Sequence, residues 1–464
     1  MDGLEIDEIQ LGNLERTARI DSEFYKKENL AIAALLKKTA FHPVTDFFAI
    51  SDGNHMSISE VFQTKGIPYY RGQDIYNTFI EEASPICIDE DTYLHPHMIR
   101  SHLKSGDVLM SIVGAIVGNS AIVSSNNAAT CSCKLSIIRS KNKGILPEFL
   151  LVFIKTKYGQ NQIQKFKRGA AQTGFLLEDF DQILLPQFSI LFQNQIKQIV
   201  DLAHDTMVSS DQVYKQAEQL ILSKLKYRDP EIESIVSSEK SFQNSFGVSG
   251  RLDAEYYQSK YEVITNRLET VETVSSLCTV YENPFNPEID EKYKYIELAN
   301  VGRNGEVSDV EIVAGEDLPS RARRRVAVGQ VIISSLEGSL QSCALIEDEF
   351  DGALCSTGFY VLDSDVINSE SLLVLFKSMP IQALLKQRCS GTILTAISKD
   401  ELLSMPLPRI DADMQESIAK KVQECFSLRR KSKELLEYAK QAVEMAIEQG
   451  EDVALEWLRE KVCE

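Results

Sequence analysis

Two stretches of this chain repeat apolar residues at three-, four- or seven-residue steps for more than thirty positions. In the first, Ile196, Val200, Ala203, Met207, Tyr214, Ala217, Ile221 and Leu225 share one face, which predicts a helix over 191–225. In the second, Ile418, Val422, Cys425, Leu428, Leu435, Ala439, Val443 and Ala446 predict a helix over 414–447. Asp413, with Glu416 three residues on, fits a capping box at its start. Gly450 interrupts it before a short tail helix carrying Trp457. Helices this long, each with an apolar seam, suggest an antiparallel coiled-coil-like pair; the alternative is that each packs on its own domain. Shorter apolar runs bounded by glycine, Val108 to Val113 and Val331 to Ser334, read as buried strands. Leu184-Leu185-Pro186 and Met405-Pro406-Leu407-Pro408 read as strand ends broken by proline.

These elements occur twice. Arg19-Ile20-Asp21-Ser22-Glu23-Phe24-Tyr25 returns as Arg251-Leu252-Asp253-Ala254-Glu255-Tyr256-Tyr257. Gly106-Asp107-Val108-Leu109 returns as Gly329-Gln330-Val331-Ile332, and Gly169, Pro186 and Gln193 return 222 positions on as Gly391, Pro408 and Gln415. So long a period makes each copy a whole domain rather than a solenoid repeat. The expected architecture is α+β: two similar β-rich globular domains separated by the two long helices, as a pseudo-twofold internal repeat. The expected segments are a helical lead-in (1–40), a first globular domain (41–190), a first spacer helix (191–228), and a linker with a second lead-in (229–270). A second globular domain (271–410) and a second spacer helix with its tail (411–464) follow. The lead-in helices are placed at Ser22 to Lys38 and Asp253 to Val271.

Composition narrows the class. The chain has 464 residues, 44% hydrophobic and 25% charged, as ordinary soluble domains do. No apolar run reaches the roughly 20 residues that span a bilayer, and the amino terminus lacks a secretion-signal layout, so no membrane partner is expected. Nine scattered cysteines fit reduced thiols in a cytoplasm. The net charge of −19 opposes casual nucleic-acid binding, yet it is uneven. Residues 41–190 carry 13 Lys+Arg against 14 Asp+Glu, whereas 271–410 carry 12 against 21. Such a chain could bind DNA only locally, and would need help from a basic partner.

No catalytic pattern stands out. There is no phosphate loop ending in Gly-Lys-Ser/Thr, no Gly-x-Ser-x-Gly and no His-Glu-x-x-His. Asn283-Pro284-Phe285 lacks the second proline of an amino-methyltransferase motif and reads as a turn. His95, His97 and His102, with Cys131 and Cys133, do not have the spacing of a zinc site, so no metal or cofactor is expected. Recognition chemistry is better represented. Arg321, Arg323, Arg324 and Arg325 cluster before the Gly329 strand, suited to phosphate or guanine edges. The alternatives are a solvated run or ion pairing with Glu316 and Asp317. Lys165, Lys167 and Arg168 lead into Gly169-Ala170-Ala171-Gln172-Thr173-Gly174, and Lys386 to Thr392 repeats that character. Gln172, Thr173, Arg388 and Thr392 thus join the basic residues as candidate groove contacts.

Together these landmarks resemble the specificity subunit of type I restriction-modification systems. Asp52-Gly53-Asn54-His55, then Gly66-Ile67-Pro68-Tyr69-Tyr70-Arg71-Gly72-Gln73-Asp74-Ile75, is similar to the opening of that family's target-recognition domain. Gly106 to Leu109 and Gly169 through Gln193 resemble its central strand and closing segment. The resemblance implies that Asp52, Gly53, His55, Arg71 and Gln73 face DNA and that the chain is not an enzyme. It also implies double-stranded DNA, two copies of an adenine methyltransferase subunit and an ATP-dependent restriction motor subunit as partners. Each domain would read half of a split site, the helices setting its spacing. A 35-residue helix spans roughly 50 Å, and half-sites one turn apart lie about 34–36 Å between centres. The second copy departs from the pattern: Asn283 to Pro287 stands where Asp52 to His55 would, and Gln330 replaces Asp107. The competing readings are a scaffold of the same fold in another phage-defence complex, and a hydrolase built on the His55 turn.

Overall fold

The two periodic stretches fold as helices of 35 and 38 residues, Ile190–Lys224 and Ala412–Gln449. Their buried faces carry the expected seam residues, except that Phe426 is buried where Leu428 is only half-buried. The second helix begins two residues early. Asp411, not Asp413, caps it, its carboxylate accepting the Met414 N–H at 3.1 Å. That bond, with Lys224 nearby, holds the Asp411 carboxyl below its ordinary range. Gly450, at φ +98°, ends the helix before the tail helix Glu451–Val462, whose Trp457 packs edge-on to Tyr438.

The computed structural model describes residues 19–462 other than 23, 39, 170–172, 228–238, 244, 247–249, 269, 283 and 392–394. The chain divides into two compact units: residues 1–206 with 430–464, and residues 207–429. Each takes a part of both long helices, and in each those parts run antiparallel. In the first unit Ser432 donates to the Ala203 carbonyl, and Ser189 meets Glu451. In the second, Asp211 meets Arg429 and Lys224 meets Asp411.

The globular part of the first unit holds β1 (Phe41–Pro43), β2 (Phe48–Asp52), β3 (Ile67–Tyr70), β4 (Ile86–Ile88), β5 (Val108–Ser111), β6 (Ser120–Ile122), β7 (Thr130–Cys131), β8 (Leu135–Ser140) and β9 (Leu184–Pro186). Its sheets run β2-β8-β5-β6 and β4-β3-β7, and β1 pairs with β9. The second unit holds β10 (Thr279–Tyr281), β11 (Lys292–Ile296), β12 (Glu311–Ala314), β13 (Ala322–Arg325), β14 (Val331–Ser334), β15 (Cys343–Leu345), β16 (Leu354–Ser356), β17 (Phe359–Asp363), β18 (Cys389–Ser390) and β19 (Ala396–Ile397). Its sheets run β10-β17-β14-β15 and β12-β11-β16-β13. Strand for strand the orders of these sheets match, including the parallel pairs β3–β7 and β11–β16; β13 is an addition, and β18 pairs with β19 where the first unit has a single bridge, Arg168 to Gly174. Met405 to Pro408 is no strand: Pro406 makes a single bridge to Thr273 where β1 and β9 form a ladder.

The repeated residues turn out to be repeated fastenings. Gln193 accepts the Leu146 N–H and donates to the Gly144 and Phe188 carbonyls. Gln415 accepts the Asn368 N–H and donates to the Val366 and Ile410 carbonyls. Each glutamine therefore staples the start of a long helix to the segment that opens an earlier helix of its own unit, Pro147–Lys155 in one and Ser369–Lys377 in the other. Arg19, oriented by Asp21, donates to the Lys165 carbonyl at the end of helix Lys157–Phe166. Arg251, oriented by Asp253, does the same to Cys389 at the end of helix Met379–Arg388. Lead-in helices follow at Lys27–Leu36 and Ser259–Leu268, shorter than the sequence pattern suggested.

Candidate nucleic-acid interface

In the first unit a chain of backbone contacts gathers the predicted loops on one rim. Gly53 lies against β7 so closely that a Cβ there would meet the Cys131 carbonyl oxygen at 2.3 Å. Asn54 bridges to Ser132, and the Cys133 N–H donates to Asn54. Next along that turn is Lys134, whose carbonyl accepts from Ile112. A Cβ at Gly72 would sit 3.9 Å from Lys134 Cβ and 3.5 Å from Ile116. The Gly114 N–H then donates to the Thr173 carbonyl at 2.7 Å, and Thr173 Oγ1 returns a bond to Gly114. The Asp52–His55 loop, the Gln73 turn, Lys134, the Gly114 loop and Thr173 are thus neighbours.

The side chains on this rim differ in role. His55 is exposed and bonded to Asp52 at 2.6 Å; Asp52 also pairs with exposed Arg100, so its carboxylate is occupied. Arg71 is held by Asp74 at 3.1 Å. Gln73 and Lys134 are exposed, and Lys134 and Lys167 have no ion-pair partner among the described residues. Two predicted contacts move inward. Lys165 is buried with its ammonium 4.1 Å above the Phe24 ring, which removes it from any groove. Arg168 forks onto buried Asp179 at 2.5 Å and pins the loop from inside. Gln172 lies outside the described residues. Sequence reasoning missed Lys134 and Arg100; the turn between two strands at Cys133-Lys134 was the available signal for the first.

The second unit builds the same rim with other side chains. The Glu297 N–H donates to Asn300 as that of Arg71 does to Asp74. Ser335 donates to the Gly358 carbonyl as Ile112 does to Lys134, and Glu337 donates to Thr395 as Gly114 does to Thr173. By these bonds Arg71 matches Glu297, Gln73 matches Ala299, Gly114 matches Glu337, and Lys134 matches Gly358. Of the Asn283–Pro287 stretch, Asn283 lies outside the described residues, and residues 284–287 do not occupy the place of the Asp52 loop: β13 does. Ala322 lies beside Ser356 where Asn54 lies beside Ser132, and Pro284 pairs one strand further out, with Arg324.

Strand β13 also separates the four arginines. Arg321 reaches the rim and pairs with Glu297 at 3.2 Å, not with Glu316 or Asp317; bonds to Tyr295 and Glu297 hold its guanidinium above its ordinary range. Arg323 donates to the Ser320 carbonyl and to Asn286. Arg324 donates to the Phe359 carbonyl and stacks over Tyr360. Exposed Arg325 lies over Phe285, and with Tyr281, Arg324 and Gln330 it lines a shallow cavity of about 260 Å³. Arg388 is half-buried and bonded to the Leu384 carbonyl and Gln387; burial lowers it from its ordinary range, and Thr392 lies outside the described residues. Neither Arg324 nor Arg388 is presented to a groove.

The substitution of Asp107 by Gln330 has a physical reason. Asp107 accepts the Lys104 N–H and forms a forked pair with Arg139 at 2.6 and 2.7 Å. Gln330 keeps the turn bond, from Ala327, while the strand position matching Arg139 holds Asp363. A carboxylate at 330 would face a like charge. Among the described residues no three His, Cys, Asp or Glu are placed to hold a metal ion, and no helix is long and apolar enough to cross a membrane.

No family model and no curated protein matches the sequence. Solved structures do align with it. The type I restriction-modification S subunit from M. genitalium is 12% identical, over 90% of this chain and 95% of that one, with a TM-score of 0.31. The HsdS subunit from Thermoanaerobacter tengcongensis is 14% identical, over 89% and 97%, with a TM-score of 0.30. A third structure, described by complex assembly and conformational transition of the type I R-M system, is 15% identical over 87% and 98%, with a TM-score of 0.26.

Proposed function

We propose that this chain is the DNA sequence-recognition subunit of a type I restriction-modification complex and performs no chemistry itself. One observation carries the reading: the same backbone rim is built twice, while its polar side chains differ at matched positions. Base pairs are distinguished by donor and acceptor patterns in the major groove. Two rims on one scaffold with different donors and acceptors therefore suit an asymmetric, split site in duplex DNA. Asp52, Gly53, His55, Arg71, Gln73, Lys167 and Thr173 would line the first reader, with Lys134 added. Arg321, Arg323 and Arg325 would serve the second.

Lysine and arginine contacts to phosphate supply most non-specific affinity. A net charge of −19 leaves that work to partners, namely two copies of an adenine methyltransferase subunit docked along the helices. An ATP-dependent motor subunit would join them for restriction, in the cytoplasm. The helices would set the gap between half-sites, at about 1.5 Å per residue. The test is a genome-wide map of methylated adenines in cells with and without this chain, its partner subunits intact. A split motif that disappears with the chain supports the reading. An unchanged map, with the partners expressed, favours a scaffold instead.

A further inference from the structure

The second unit buries an ionic network that DNA recognition leaves unused. Arg429, on the second long helix, meets Asp211 of the first at 2.6 Å and Glu306 at 3.3 Å. Their side chains are 12%, 19% and 14% exposed. Asn304, only 4% exposed, donates to the same Asp211 oxygen at 2.8 Å. One turn along, Ser210 donates to the Cys425 carbonyl at 3.0 Å, with its oxygen 3.1 Å from Cys425 Sγ.

Asn304 and Glu306 arrive on a tight turn in which the Gly302 N–H donates to the Glu306 carbonyl at 2.8 Å. Gly305 sits there at φ +92°, and a Cβ would strike Leu373 at 2.6 Å, so the turn packs closely on the helix that carries Leu373 and favours glycine at this position. Both helices and the globular part of the unit therefore converge on one guanidinium. The first unit docks its matching turn differently: Phe79, which bridges to Ile122 as the Gly305 carbonyl bonds to Leu345, packs edge-on to His204 at 4.8 Å.

An apolar seam tolerates slippage, because Tyr214, Ala217, Val422 and Cys425 would meet other apolar residues after a shift. A buried ion pair does not, since any slip leaves charges desolvated and unpaired; fixing helix register is the best-attested use of such groups. We propose that Arg429, with Asp211 and Glu306, fixes the register of the helix pair against the second recognition unit, and so restricts the complex to one gap between half-sites. Arg429 is then a positioning residue, and the inference rests on the recognition reading above.

The experiment uses the complex assembled with its methyltransferase subunits, acting on a DNA library in which the two half-sites are separated by varied gaps. The wild type should methylate one gap. The triple variant Arg429→Met, Asp211→Leu, Glu306→Leu, which leaves no charge stranded, should still require both half-sites. It should methylate neighbouring gaps to within about tenfold of the preferred one. Adding Ser210→Cys and oxidising it onto Cys425 should restore the single gap. A folded triple variant that keeps one gap overturns the proposal. Should the triple variant fail to assemble, Arg429→Gln, which keeps side-chain donors but removes the charge that the two carboxylates share, takes its place; a single gap there overturns the proposal equally. A wild-type complex indifferent to the half-sites would instead refute the recognition reading itself.

Discussion

The two rims share a backbone and differ in charge. The first presents Gln73 and Lys134, with Arg71 anchored by Asp74; the second has Ala299, Gly358 and Glu297 at those places, and Glu337 for Gly114. Extra strand β13 brings Arg321 to the second rim, where it neutralises Glu297 rather than standing free. Their docking turns differ in the same sense, an aromatic pair at His204 in one unit and an ionic one at Asp211 in the other. Duplication therefore preserved the hydrogen-bonded frame and released the side chains that frame displays. That is the division expected of a scaffold for two unlike recognition surfaces.

The strongest way to break the comparison lies at the docking turns. Arg429→Met should cost the second unit about 3–5 kcal/mol, because Asp211 and Glu306 stay buried without a partner. Phe79→Ala should cost the first unit about as much, through lost packing. Only the former loss should be recovered when the two carboxylates become leucine, as denaturant unfolding would show. Next, Asp107→Asn should remove about 1.5–3 kcal/mol: the turn bond survives while the charged fork to Arg139 is lost. Gln330→Asp, facing Asp363, should also destabilise rather than reproduce the first unit's pair.

At the rims, Lys134→Gly should lower the salt slope of DNA binding by about one. Gly358→Lys should raise it by a similar amount, since a Cβ there meets only Ser356 Oγ, at 3.5 Å. Binding titrations across a salt series decide both. The smallest effect concerns acid. Arg19 and Arg251 hold the Asp21 and Asp253 carboxyls below their ordinary range, mainly by hydrogen bonding. A carboxylate depressed on folding contributes stability above its unfolded pKa, near 4, and loses it as pH falls through the folded value. Thermal unfolding of wild type should therefore be slightly more acid-sensitive below pH 4 than that of Asp21→Asn or Asp253→Asn, and by similar amounts for the two.

Much of the frame was legible because it is local. Periodicity places both helices within two residues of their observed starts, and Gln193 and Gln415 are visible as a matched pair although their bonds are not. The Asp413 cap fails because Asp411, two residues earlier, offers the same chemistry and periodicity does not distinguish them. The interface was less legible, since a basic residue in sequence does not reveal which way it faces. Lys165 turns inward because Phe24 supplies a ring, and Arg168 because Asp179 supplies a buried carboxylate. Lys134 was overlooked because its importance comes from Gly72 and Ile112, which are distant in sequence. The insertion of β13 at the edge of β16 is a long-range event, and no pattern around Asn286 announces it.

The central claim, two separate readers on one frame, is tested most directly by changing one rim alone. Gln73→Ala with Lys134→Gly gives the first rim the side chains of the second at those two positions. The adenine-methylation map of cells carrying that variant should show one half of the split motif relaxed or altered, with the other half and the gap unchanged. A map identical to wild type, or one in which both halves change together, would contradict it.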